Sequence, residues 1–193
     1  MSQPRLILAS ASPQRATLMQ GLGLSFDIIP SDIAESECKE CNPERRAEVL
    51  ARSKAEDIAA RNTDALVIGC DTLVVASDGT MLEKPSDADD ARRMLELQSG
   101  KPSYVHSAVC VIGSDSAKEG LSSSIIMFRE LNAGEIDWWL KTGLWEGRSG
   151  SFQIEGPGQL LIDRLDGDWT GVVGLPVALL RRLMEESGVS VAS

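Results

Sequence analysis

One acidic residue stands where an acid is expensive. Asp71 lies inside Leu66–Ala76, an apolar and β-branched run. A carboxylate taken out of water there must be paired, hydrogen-bonded or bound to a metal. The structural alternative is an aspartate bonded to neighbouring backbone at a strand end. A second segment, Ser10-Ala11-Ser12-Pro13-Gln14-Arg15, combines hydroxyls, the start of a helix and a cation. Helix N-termini present unpaired N–H groups and partial positive charge, so this turn suits a phosphate-like anion; a plain capped helix with a surface arginine is its ordinary reading.

Other charges gain meaning only if they share a site. Glu35 and Glu37 occupy a polar loop, Lys54 a helix, and Lys84 a turn before a proline. Taken singly, Lys54 and Lys84 read as solvated surface charges. The glycine-rich stretch Gly147–Gly158 would let backbone approach a ligand closely, or is simply a loop. Neither a Walker P-loop nor a Rossmann fingerprint is present. Cys38 and Cys41 form a C-x-x-C pair in an acidic loop, with the single histidine, His106, far away in sequence. The ligands for a structural zinc are not assembled, and free thiols in a reducing compartment are expected. Cys70, next to Asp71, reads as core rather than as a nucleophile.

The elements that must position these residues follow from periodicity and punctuation. Leu6–Ala9 reads as a buried strand, followed by a helix with Ser12 as its N-cap, Pro13 in its first turn, and Gly21 and Gly23 at its end. Phe26–Pro30 reads as a second strand and residues 31–42 as a loop. A helix from Pro43 to about Asn62 carries Ala47, Leu50, Ala51, Ala55 and Ile58 on one face. The strand Leu66–Ala76 is expected to be interrupted at Gly69-Cys70-Asp71-Thr72, with a hairpin at Ser77–Thr80. A helix from about Ser86 to Gln98, strands near Tyr104–Ile112 and Ser123–Arg129, and a helix capped by Asn132 and Glu135 come next. Strand-like Leu160–Leu165 and a helix from Pro176 to about Glu186 close the chain.

Composition sets outer limits. The 193 residues, 42% hydrophobic and 25% charged, suit one α/β domain or two small lobes sharing a core. A net charge of −10 disfavours extended contact with nucleic acid or anionic membrane, while a small phosphorylated ligand needs only local cations within a screening length of ~8–10 Å. The segment Met1–Arg5 leads into an apolar run too short for a signal core, and no run approaches the roughly 20 residues that span a bilayer. A cytoplasmic location is expected.

Several of these segments occur together in a family-specific order. They are Leu8-Ala9-Ser10-Ala11-Ser12-Pro13-Gln14-Arg15, Lys54-Ala55, Gly69-Cys70-Asp71-Thr72, Glu83-Lys84-Pro85, Met94–Lys101, Phe128-Arg129 and Gly174-Leu175-Pro176. With them the chain resembles the Maf-like (septum formation) nucleoside triphosphate pyrophosphatases from about residue 5 to 187. The resemblance implies an α/β fold similar to inosine triphosphate pyrophosphatases, with a bent mixed sheet flanked by helices, two lobes and a central cleft, commonly as a homodimer. It implies hydrolysis of a nucleoside triphosphate to a monophosphate and pyrophosphate with Mg²⁺ or Mn²⁺. Asp71 matches the general base, Ser10, Arg15, Lys54 and Lys84 the phosphate ligands, and Glu35 with Asp71 the metal shell. An inosine or xanthosine triphosphate pyrophosphatase of the related fold would lack the Ser-x-Ser-Pro opening. A non-catalytic nucleotide-binding regulator of septum formation is the reading from a different class.

Three positions bear on the base. Gln14 stands where many members have arginine, and Thr72 matches the Asp-Thr pair of the pyrimidine-acting branch. Glu155, in Ser151-Phe152-Gln153-Ile154-Glu155-Gly156, resembles the branch acting on 7-methylguanosine triphosphate. A carboxylate only accepts hydrogen bonds, which suits the N1–H and N2–H₂ donors of guanine. A guanine-type substrate is the expectation, with dTTP, UTP or CTP as the alternative.

Overall fold

The computed structural model describes residues 4–114 and 117–189. Met1, Ser2 and Gln3, part of the segment read for a signal core, lie outside the described residues. The fold is mixed α/β. The described residues form seven strands: β1 (Arg5–Leu8), β2 (Asp27–Ile28), β3 (Ala65–Ala76), β4 (Met81–Leu82), β5 (Pro102–Ile112), β6 (Ala117–Phe128) and β7 (Ile162–Asp166). Their order in the sheet is β2-β1-β3-β5-β6-β7, with β4 beside β3. The helices are α1 (Pro13–Gly21), α2 (Pro43–Ala59), α3 (Ala88–Gln98), α4 (Ala133–Thr142), α5 (Trp169–Val173) and α6 (Val177–Glu186). Among the described residues, no helix is long and apolar enough to cross a membrane.

The chain divides into two compact units. The first is formed by the segment ending at Asp71, by Ser107–Ser122 and by the segment from Gly174 onward; the second by Thr72–His106 and Ser123–Val173. In the first unit β1 lies parallel to both β2 and β3, with Leu8 opposite Ile68. Side chains alternate across a strand. Leu66, Ile68 and Cys70 therefore join Leu6, Leu8, Met19 and the α6 residues Leu180 and Leu183 in one core. The positions between them, Val67, Gly69 and Asp71, face the other way, toward α2. A Cβ at Gly69 would collide with the Ala51 carbonyl oxygen and stand 2.7 Å from the Ala55 nitrogen, so α2 sits as close to β3 as a residue without a side chain allows.

The second unit has its own core, including Leu82, Leu95, Ile126, Phe128 and Trp139. Phe128 and Phe152 meet edge-to-face with ring centroids 5.1 Å apart. Strand β7 pairs antiparallel with β6, and β4 antiparallel with β3.

Local chemistry sets the helix starts. Ser12, Asn42, Asp87 and Asn132 each accept a backbone N–H in the first turn of the following helix, and Asn132 forms a full capping box with Glu135. Several boundaries differ from the sequence reading. Strand β3 runs unbroken through Gly69–Thr72. Strand β6 begins at Ala117, six residues before the expected Ser123, through Lys118, Glu119 and Gly120, which carry no strand pattern. Helix α2 ends at Ala59 rather than near Asn62, and Leu160 belongs to a 3₁₀ turn, Gly156–Leu161, rather than to β7.

Candidate active site

The parallel strands β1 and β3 run paired until β1 ends at Leu8, opposite Ile68, while β3 continues to Ala76; Ser10 and Asp71 lie just beyond the last pair. In open α/β sheets ligands bind beyond the carboxyl ends of parallel strands. The loop after β1 carries Ser10 and leads into α1. Ser10 is buried, and its Oγ accepts hydrogen bonds from Arg15 Nη1 at 3.0 Å and from the Ser12 backbone N–H at 3.2 Å. Arg15 Nε donates to the Gly174 carbonyl at 2.8 Å. The guanidinium is thus held from two sides at the start of α1, a cation fixed beside the N–H groups of a helix terminus. Gln14 Oε1 accepts from the Ser12 hydroxyl at 3.1 Å, so this residue supports the same turn.

On β3, Asp71 is 4% exposed and Lys54, from α2, is 7% exposed. Lys54 Nζ lies 2.6 Å from Asp71 Oδ1 and 2.9 Å from Glu35 Oε1. Lys54 is therefore a buried residue, not the solvated helix charge its sequence context alone suggests. Close packing at Gly69 brings its ammonium down onto the strand. Glu35 belongs to a 3₁₀ turn, Glu35–Glu37, inside the segment expected to be loop, and more than half of its side chain remains exposed. Asp71 Oδ2 is buried and has no hydrogen-bond partner. One ammonium thus stands between two carboxylates, leaving a surplus negative charge and an unpaired buried oxygen. Unpaired buried acceptors cost on the order of 1–3 kcal/mol, which singles this oxygen out as a candidate ligand contact.

Cys70 turns to the opposite face and is fully buried. Burial pushes its thiol up to about 11, although the charges of Arg15 and Lys54 pull the other way. Both cations therefore act on the same short stretch of β3. A thiol so disposed is core, not nucleophile.

In the second unit Thr72 continues β3 and is partly buried, while Lys84 is exposed in the segment after β4. Glu155 precedes the Gly156–Leu161 turn, and its Oε2 is buried without a hydrogen-bond partner. Just before it the backbone is strained: Gly150 has φ 72° and Ser151, a non-glycine residue, has φ 60°. Gln98 Nε2 donates to the Gly150 carbonyl at 2.7 Å, Trp139 Nε1 donates to the Ser151 carbonyl at 2.8 Å, and the Gly150 N–H donates to the Glu83 carbonyl at 3.2 Å. The same turn thereby fixes the start of the Glu155 segment and the residue before Lys84. Sequence reasoning picked out neither Gln98 nor Gly69, whose roles depend on partners distant in the chain. The order of the motifs was the only signal that could have raised them.

The Maf-like protein family model matches residues 5–187. A dTTP/UTP pyrophosphatase from Deinococcus radiodurans is 40% identical over 187 residues, covering 97% of this chain and 95% of that protein. Another protein of that name, from Moorella thermoacetica, is 41% identical and covers 97% of both chains. Among solved structures, a HAM1 protein from Coxiella burnetii superposes with a TM-score of 0.51 at 14% identity, covering 96% of this chain and all of that one, a likeness of fold alone. Matched along nearly its whole length by the family and by these relatives, the chain belongs to the Maf-like protein family.

Proposed function

We propose that the protein hydrolyses nucleoside triphosphates to a monophosphate and pyrophosphate, and that its substrates carry uracil or thymine. The observation that carries the reaction is the buried Asp71, paired through one oxygen with Lys54 while the other oxygen has no partner. A carboxylate oxygen left free in this way can take a proton from, or orient, a water attacking a phosphoanhydride. Arg15 and Lys54, with Lys84 by family resemblance, supply positive charge that offsets the negative charge such a displacement gathers on its leaving group. No covalent intermediate is required, in keeping with an inert Cys70.

Glu35 and Asp71 fit a divalent cation. Their carboxylates already converge on one ammonium, and the orphaned Asp71 Oδ2 adds a hard oxygen donor of the kind that Mg²⁺ and Mn²⁺ prefer. When bound, such an ion would supply charge neutralisation and activation of water.

The guanine-type preference expected from Glu155 gives way to pyrimidines, because the curated relatives at 35–41% identity are named dTTP/UTP pyrophosphatases. A carboxylate accepts as readily from the single N3–H of uracil or thymine as from guanine, and the one orphaned oxygen of Glu155 matches one donor. Thr72 agrees with this reading. Cytosine, which lacks an N3–H, would leave that oxygen unpaired.

A nucleotide panel with the purified protein in Mg²⁺ or Mn²⁺ tests the proposal. We expect kcat/KM for UTP and dTTP to exceed that for CTP and 7-methyl-GTP by at least about tenfold, the scale of one unpaired buried group. Glu155→Gln, able to donate as well as accept, is expected to narrow the gap between UTP and CTP. A wild-type preference for 7-methyl-GTP would overturn the pyrimidine assignment.

A further inference from the structure

We propose that Arg46 is a positioning residue for Glu35, fixing the turn that presents this carboxylate to Lys54 and to a divalent cation. The inference rests on the reading of Glu35 as a metal ligand.

The turn Glu35–Glu37 has little order of its own. It is a single 3₁₀ turn without a side-chain cap, held internally by the Glu37 N–H to the Ala34 carbonyl at 3.0 Å and the Cys38 N–H to the Glu35 carbonyl at 3.2 Å. Short 3₁₀ turns have poor hydrogen-bond geometry, and a half-exposed glutamate on one would lose its aim. Arg46 reaches back from α2 and supplies the missing restraint. Its Nη1 donates to the Cys38 carbonyl at 2.6 Å and to the Glu40 carbonyl at 3.5 Å, and its Nη2 donates to the Glu35 carbonyl at 3.4 Å. A rigid fork of donors suits this task where a lysine, with its single mobile ammonium, does not.

Arg46 and Lys54 are eight residues apart on α2, so with Leu50 between them they share a face of the helix. One helix therefore grips the turn at its backbone through Arg46 and at its tip through Lys54. Ligating groups need such support because a displacement of about 0.5 Å degrades a site, and loss of an outer partner commonly weakens metal binding 10–100-fold.

A double-mutant cycle on Mn²⁺ affinity tests this in the full chain without nucleotide, reading free Mn²⁺ by electron paramagnetic resonance, with circular dichroism melts to verify folding. Arg46→Met is expected to weaken Mn²⁺ binding roughly tenfold, Glu35→Gln to do the same or more, and the double variant to be no worse than Glu35→Gln alone. Arg46→Lys should recover only part of the loss. Nucleotide KM at saturating Mn²⁺ should change less than the Mn²⁺ concentration giving half-maximal rate. If Glu35→Gln weakens Mn²⁺ binding while Arg46→Met leaves it within twofold, or the two losses multiply, the positioning role is wrong and the metal-ligand reading stands. If Glu35→Gln leaves Mn²⁺ affinity unchanged, the metal-ligand reading fails and the inference fails with it.

Discussion

At the scale of single residues, the four cysteines separate by environment. Cys70 and Cys110 are buried, and burial pushes their thiols up to about 11 and about 12, whereas Cys41 is exposed and Cys38 partly so. The thiolate is the reactive form, so near pH 8 a disulfide reagent should label Cys38 and Cys41 within minutes and Cys70 and Cys110 only after denaturant is added. Rapid native labelling of Cys70, followed by mass spectrometry of the tryptic peptides, would contradict its placement in the core. Asp71 was legible as a candidate because a charge amid apolar strand residues demands a partner. Lys54 was legible only through the family resemblance, because its burial depends on how closely α2 approaches β3. The relatives' names favour pyrimidines over the guanine-type base expected from Glu155, and the chemistry allows it: one acceptor complements guanine and uracil alike, so residue type alone does not choose between them.

At the scale of elements, the contact of α2 with β3 does the positioning. The Ala51 carbonyl and the Ala55 backbone nitrogen crowd the space a Cβ would take at Gly69. Gly69→Ala is expected to cost about 3 kcal/mol or more, because the obstacle is helix backbone and not a movable side chain. It should also lower kcat by displacing Lys54 from Asp71. Equilibrium denaturation and steady-state kinetics on the same preparation check both effects, and a variant of wild-type stability and rate would show that the helix can give way. Helix starts were readable where a cap announced them, as at Ser12 and at Asn132 with Glu135. The first half of β6 was not, since Lys118, Glu119 and Gly120 follow no strand alternation; Glu119 instead pairs with Arg52 of α2, Nε to Oε2 2.9 Å. Continuity of β3 through Gly69 was hidden as well. A glycine inside a strand suggests a break locally, and only the neighbouring helix shows that it marks a close approach.

At the scale of the whole molecule, one chain carries two cores, and residues matched to the family's motifs fall in both units. Ser10, Gln14, Arg15, Glu35, Lys54 and Asp71 belong to the first, and Thr72, Lys84 and Glu155 to the second. The α/β class was legible from alternating strand and helix signals, whereas the division into units depends on long-range pairing that no local pattern encodes. The net charge of −10 is compatible with a triphosphate ligand because Arg15 and Lys54 are fixed locally by hydrogen bonds and ion pairs. In the proposed reaction, water guided by Asp71 attacks the α-phosphorus and expels pyrophosphate. Hydrolysis of UTP in H₂¹⁸O, with mass analysis of both products, tests it most directly. One ¹⁸O is expected in UMP and none in pyrophosphate, with the rate reduced roughly 10²–10⁴-fold in Asp71→Asn. Label in pyrophosphate, products of UDP and inorganic phosphate, or an Asp71→Asn variant as fast as wild type would contradict it.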